Sequence, residues 1–230
     1  MNYRELIAKL RSLANPENVK GMARYGISAK GTLGISMIKI REIGKEIGVD
    51  HKLALKIWQA GIHEARILAS IIDDPKQVNK KQMESWAKDF DSWDVCDQVC
   101  TNLFDKTPLA FEMVRKWAKD KREFVKRSAF SVIAGLSLQD VDATDRELAQ
   151  FFPIIKKAST DERNFVRKAV NWALRNLGKR NPRLNKLAIK TAREIQKIDS
   201  KAARWIAADA LRELTSEKIQ KRIAKRAVQS

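Results

Sequence analysis

The chain has 230 residues, with 46 lysines and arginines against 28 aspartates and glutamates, a formal net charge of +18, and 44% hydrophobic residues. With 9 glycines and 5 prolines, this composition excludes disorder and describes a folded protein of one large or two small domains. The charge points to a polyanion partner, a nucleic-acid backbone first, and it is uneven: residues 1–110 hold 17 basic and 14 acidic side chains, a net +3, whereas residues 111–230 hold 29 and 14, a net +15.

Helical periodicity recurs from end to end and no stretch sustains the alternation of a strand, so the chain reads as all-α. The segment Met1–Leu10 carries charges inside its apolar pattern and lacks the apolar core of a signal peptide. No run approaches the roughly 18 apolar residues of a membrane span, and a cytoplasmic location is expected. Ser36, Asp50, Asn79, Ser92, Thr144, Asp161 and Ser200 stand where helix N-caps belong. Gly26, Gly48, Asp74-Pro75, Thr107-Pro108, Gly178 and Asn181-Pro182 punctuate the connections between them. Helices of roughly 10 to 18 residues joined by short loops are the pattern of antiparallel pairs. Without a separating linker, residues 1–230 are expected to form a single helical-repeat domain with a basic helical extension from about residue 200. The terminal basic run Lys218–Arg226 reads as a solvated helix end rather than a membrane-surface helix.

A repeat is visible within this pattern. Arg122-Glu-Phe-Val-Lys-Arg-Ser-Ala-Phe130 returns 41 residues later as Arg163-Asn-Phe-Val-Arg-Lys-Ala-Val-Asn171, and Ala173-Leu-Arg-Asn-Leu177 returns 37 residues on as Ala210-Leu-Arg-Glu-Leu214. Intervals of about 40 between similar helices mark HEAT-like repeats, which stack into an α-solenoid with a concave face. A concave basic cleft is therefore expected.

Two cysteines, Cys96 and Cys100, lie one helical turn apart, and neither His51 nor His63 is spaced to complete a tetrahedral zinc set. They read as small buried hydrophobes of a reducing compartment, and no metal is expected. On the helix expected from Ser92, Val95, Cys96, Val99 and Leu103 form one face. Trp93 and Asp97, four residues apart, lie together at its opposite edge, with Cys100 and Phe104 near them. An acid on a phosphate-facing surface weakens binding and belongs there only if it does chemistry; facing elsewhere it is an ordinary helix charge. Asp94 suits the first helical turn, where an acid meets the helix dipole. On the helix expected from Asp161, Phe165, Val166, Ala169, Val170, Ala173, Leu174 and Leu177 make an apolar stripe. Trp172 falls at its edge beside Lys168, Arg175 and Lys179, an arrangement equally suited to a sugar with its phosphates and to a rim tryptophan under lysine stems. Arg127 holds the position of Lys168 in the preceding repeat and suits bidentate phosphate contact.

In order along the chain, Met22-Ala-Arg-Tyr25, Leu33-Gly-Ile35, Ser92-Trp-Asp-x-x-Asp97, Phe124-Val-Lys-Arg-Ser-Ala129, Lys168–Arg175 around Trp172, and Asn181-Pro182 resemble the AlkD-type DNA alkylation repair glycosylases of the HEAT-like repeat superfamily. The resemblance runs from about Asn15 to Pro182, and the basic helices past Ser200 match no motif. It implies hydrolysis of the N-glycosidic bond of cationic N3- and N7-alkylated purines, such as 3-methyladenine and 7-methylguanine, in duplex DNA, by a monomer needing neither metal nor cofactor. It implies that Asp97 is the catalytic carboxylate, that Trp93 and Trp172 pack on the lesion's deoxyribose, and that Arg127 holds a backbone phosphate. Tyr25, with Lys168, Arg175 and Lys179, would be accessory in the cleft. Such enzymes work without the base flipping of most glycosylases. Some relatives lack the catalytic set, so a non-catalytic protein for branched or bent DNA is the alternative, with a protein-binding solenoid behind it.

Overall fold

The computed structural model describes residues 1–138 and 143–229, with side chains to Ser137 and from Ala143 to Lys225, and every regular element among them is a helix. The chain divides into two compact units, Met1–Leu109 and Ala110–Ser230.

The first unit holds α1 (Tyr3–Ser12), α2 (Pro16–Ala23), α3 (Met37–Ile47), α4 (His51–Trp58), α5 (His63–Ile72), α6 (Lys80–Lys88) and α7 (Trp93–Asn102), followed by a 3₁₀ turn at Phe104–Lys106. Ser36, Asp50 and Asn79 cap α3, α4 and α6 as predicted, each accepting from the amide three residues on. Gly48 ends α3 at φ 74°, a conformation that favours glycine. Asn2 and Asn15, absent from the sequence prediction, cap α1 and α2, the first in a capping box with Glu5. Helix α5 is the hub, packed by α3, α4 and α7. Its Ala65, Ile67, Leu68, Ala69 and Ile72 are buried, each large aliphatic chain contributing about 1.5–3 kcal/mol by leaving water. Trp58 and Trp86 stack with ring centroids 4.0 Å apart and planes within 2°. Trp58 Nε1 donates to Asp89 Oδ2 at 2.9 Å, which satisfies the indole's one polar atom.

The second unit holds α8 (Ala110–Trp117), α9 (Glu123–Leu138), α10 (Asp145–Ala149), α11 (Phe151–Ala158), α12 (Asn164–Gly178), α13 (Pro182–Gln196), α14 (Lys201–Leu214) and α15 (Glu217–Gln229). Helices α9, α12 and α14 lie side by side, and α8, α11 and α13 pack on them. The 41-residue repeat is physical. Arg122 donates its amide, Nε and Nη2 to Asp120 at 2.8, 2.9 and 2.6 Å. Arg163 does the same to Asp161 at 3.2, 2.9 and 2.7 Å. Phe124 and Phe165, one repeat apart, meet with centroids 5.6 Å apart. From α12 to α14 the interval is 38 residues, fixed by Asn171 Nδ2 to Asp209 at 2.6 Å and Arg175 Nη1 to Glu213 at 2.7 Å. Thr144 and Ser200 cap as expected. Asp161 does not cap α12, because the fork of Arg163 two residues on occupies its carboxylate and the helix begins only at Asn164.

Among the described residues no helix is long and apolar enough to cross a membrane. Cys96 and Cys100 are buried in the first unit, as their spacing suggested.

Candidate active site

Helix α7 carries two aspartates with different surroundings. Asp94 turns inward: its Oδ2 meets His63 Nε2 at 2.8 Å, and its Oδ1 accepts from the Ser92 hydroxyl at 2.8 Å. This use of the Ser92 side chain explains why it makes no capping bond at the position where a cap was expected. The His63 and Asp94 side chains are only 3% and 15% exposed. Burial pulls the His63 pKa down, but the hydrogen bond and charge of Asp94, with Glu64 and Asp91 adding, outweigh it and the value is raised. Burial likewise pushes Asp94 up, and the His63 bond and charge, the Ser92 hydroxyl and the Val95 amide hold it below the usual carboxylate range. The structure thus gives Asp94 a partner that the sequence did not disclose.

Asp97 stands one turn further along, half-buried, on the side of α7 shared by Trp93. Its backbone carbonyl accepts from Thr101 Oγ1 at 2.8 Å. The Trp93 ring is half-buried, and its Nε1 donates to the Tyr25 carbonyl at 2.9 Å, which fixes the indole against rotation. The Tyr25 side chain is 74% exposed in the turn after α2, where Gly26 follows at φ 76°. Cys100 and Phe104, expected near Trp93 and Asp97, belong instead to the core, both fully buried. Asn102 ends α7 and the chain turns, so helical projection beyond that point misplaces Phe104.

The turn before α3 is held from below by Glu64. Its carboxylate, buried at the start of α5, accepts from the amides of Leu33 (2.9 Å), Gly34 (2.6 Å) and Ile35 (3.1 Å). His63 donates its own amide to the Gly31 carbonyl at 2.9 Å. Gly34 is required twice, for its φ of +79° and because a Cβ there would lie 2.3 Å from the Asn15 carbonyl. The Leu33-Gly-Ile35 motif is therefore an amide cradle for a carboxylate 30 residues away. The one sequence signal for it was an adjacent His63-Glu64 pair opening a largely apolar helix.

In the second unit, Arg127 is 5% exposed, and its Nη1 donates to the Phe165 carbonyl at 2.5 Å, tying α9 to the first turn of α12. Trp172 is half-buried at the edge of the α12 core stripe, as its position predicted, and Lys168 is exposed. Phe165 lies at the stripe's margin, half-buried against Phe124. Arg175 and Lys179 are turned to α14, where Glu213 accepts from both at 2.7 and 3.0 Å and Asp209 stands 3.5 Å from Arg175. Of the three cations near Trp172, Lys168 alone among the described residues carries no salt bridge.

No curated protein sequence matches this chain. Among solved structures, a member of a family related to the HEAT-like repeat DNA glycosylases, with affinity for branched DNA structures, superposes with a TM-score of 0.76 at 18% identity, over 93% of this chain and 95% of that one. The HEAT-like repeat fold follows from that superposition. A designed armadillo repeat protein solved with the peptide (KR)4 covers 80% of this chain and 88% of its own at 13% identity, with a TM-score of 0.36, too distant to bear on the fold. The family of DNA alkylation repair enzymes matches residues 6–214. With the match running over nearly all of the two helical units, the chain belongs to the DNA alkylation repair enzyme family.

Proposed function

We propose that the protein is a monofunctional DNA glycosylase that hydrolyses the N-glycosidic bond of cationic N3- and N7-alkylated purines in duplex DNA. The observation that carries this reading is the division between the two aspartates of α7. Asp94 is buried on His63 and Ser92, whereas Asp97 is half-exposed one turn from an indole locked by the Tyr25 carbonyl. A purine alkylated at N3 or N7 already bears positive charge and departs neutral, so the reaction needs no general acid. The barrier lies in the sugar, which develops oxocarbenium charge. A carboxylate and an electron-rich ring face stabilise that charge, and the carboxylate also orients the attacking water. Asp97 is assigned the carboxylate's role and Trp93 that of a wall against the deoxyribose.

In the second unit, Trp172 is assigned a sugar contact and Arg127 a backbone phosphate, with at least one of the five guanidinium donors committed to Phe165. Lys168 and the exposed Tyr25 ring are assigned accessory contacts, whereas Arg175 and Lys179 act through their pairing with Glu213. Incubation with methylated duplex DNA is expected to release free 7-methylguanine. Asp97→Asn should lose most release while retaining DNA binding, and undiminished release by that variant would remove Asp97 from the mechanism. The step uses no lysine nucleophile, so borohydride should trap no covalent DNA adduct.

A second reading, a non-catalytic protein for branched or bent DNA, is favoured by the solved relative with affinity for branched DNA structures. It predicts no base release from any alkylated substrate, with binding that falls steeply as salt rises.

A further inference from the structure

Trp205 is 39% exposed, the one exposed large apolar side chain of the second unit among the described residues. It stands on α14 under the Arg167 guanidinium of α12, whose central carbon is 5.3 Å from the ring centroid. The two are 38 residues apart, the interval that also separates Asn171 from Asp209 and Arg175 from Glu213. They are therefore neighbours in one register row of adjacent repeats. This row borders the exposed side of α12: at about 100° per residue, Lys168 lies between Arg167 on the α14 side and Trp172 on the other.

The cations of this face differ from those deeper along it. Arg175, Lys179, Arg163 and Lys126 are held in salt bridges. Arg167 and Lys168 make none among the described residues, and neither does the exposed Lys201 one turn before Trp205. The nearby acids are engaged: Asp209 by Arg175, Arg212 and Asn171, and Glu162 by the Ser200 hydroxyl and the Ala202 amide at the start of α14. Among the described residues these three cations thus carry no salt bridge where the exposed indole lies, although the charges of Arg167 and Lys201 reach Glu162 through space.

We propose that Trp205, with Arg167 over it and Lys168 and Lys201 beside it, is a second DNA-binding site, one that stacks an unpaired nucleobase and takes the flanking phosphates on the cations. A base within a duplex has both faces covered by its neighbours, whereas an unpaired one at a gap or branch offers a bare π-face to an indole. A lysine stem alone explains neither the exposure nor the guanidinium over the ring. This site rests on the DNA-binding part of the proposed function, not on catalysis by Asp97.

The test compares dissociation constants of the full chain for a duplex carrying a short gap of unpaired thymidines and for an intact duplex of equal length. Trp205→Ala and Trp205→Leu are expected to weaken gapped-DNA binding roughly tenfold, Trp205→Phe to keep most of it, and the intact duplex to shift less than about twofold. Equal loss on both duplexes, no loss on either, or a leucine variant as good as wild type would each overturn the site. Trp205→Leu keeps the apolar bulk, so it decides the matter if the alanine variant folds poorly. Release of 7-methylguanine by the wild type separates the two ideas. Release without a Trp205-dependent gap preference removes this site and leaves the glycosylase; the converse removes the glycosylase and leaves this site.

Discussion

His63 Nε2 and Asp94 Oδ2, 2.8 Å apart and buried, tie the first turn of α7 to the first turn of α5. This bond sets where Trp93 and Asp97 stand, because both ride on the helix it anchors. Removing one member leaves a buried charge without its partner, so Asp94→Asn should lower stability by about 3 kcal/mol. Asp97→Asn should cost most of the base release. Chemical denaturation of the Asp94 variant and a release assay on the Asp97 variant check the two; an Asp94→Asn protein as stable as the wild type would remove the anchor.

The same pair predicts a pH window. The His63 pKa is raised from 6.5, so its contribution is complete below that value and fades as pH rises through the folded-state value. The Asp94 pKa is lowered from 3.8, so its contribution is complete above that value and fades as pH falls through the depressed one. The stability lost by His63→Gln should therefore be largest at about pH 5 to 6 and distinctly smaller at about pH 9. Urea unfolding of wild type and variant across that range measures it, and a difference that grows with alkalinity would contradict it.

Glu64→Gln replaces a charge that three amides share. Charge-assisted bonds of this kind are worth about 1.5–3 kcal/mol, and the loss should appear locally. Hydrogen exchange at Leu33, Gly34 and Ile35 should accelerate before the core of α5 responds. Gly34→Ala should also destabilise, by more than about 1 kcal/mol, because the left-handed backbone and the Asn15 carbonyl both oppose a Cβ.

Asp161 joins Arg163 to Lys126 at 2.7 and 2.8 Å. Burial raises its pKa, but the bonds to Arg163 and Lys126 outweigh it and hold it far below the usual carboxylate range. Asp161→Ala should cost about 1–3 kcal/mol. Asp120→Ala, whose clamp on Arg122 is more exposed, should cost no more than about 1 kcal/mol. Thermal melts order the two. The Asp161 contribution should vanish only in strong acid, since it is lost as pH falls through a depressed value.

The helices were legible because their signals are local: Ser36, Asp50, Asn79, Thr144 and Ser200 each cap with the amide three residues on. The repeat was legible because Phe124 and Phe165 occupy matching positions in matching sentences of sequence. Asp161 misled because a cap and an Asp-x-Arg clamp look alike until the arginine's direction is known. The pairing of Asp94 with His63, the cradle of Glu64 and the engagement of Arg175 and Lys179 by Glu213 were not legible. Each joins residues about one repeat apart, an interval that fixes which helices meet but not which side chains face each other. Trp93 and Asp97 were found as a pair by their four-residue spacing, while the Tyr25 carbonyl that steadies the indole lies 68 positions away.

That distance has a consequence for how the unit becomes competent. Side-chain bonds between neighbouring repeats here span intervals such as 31 for His63 to Asp94 and 37 for Lys9 to Glu46, so each forms once two adjacent helical layers have met. The bond from Trp93 to Tyr25 closes a loop of 68 residues and rewards the chain only after the intervening layers are in place. The indole orientation is thus a late event in assembly, and the surface of α7 proposed to react is finished only when the rest of its unit already stands.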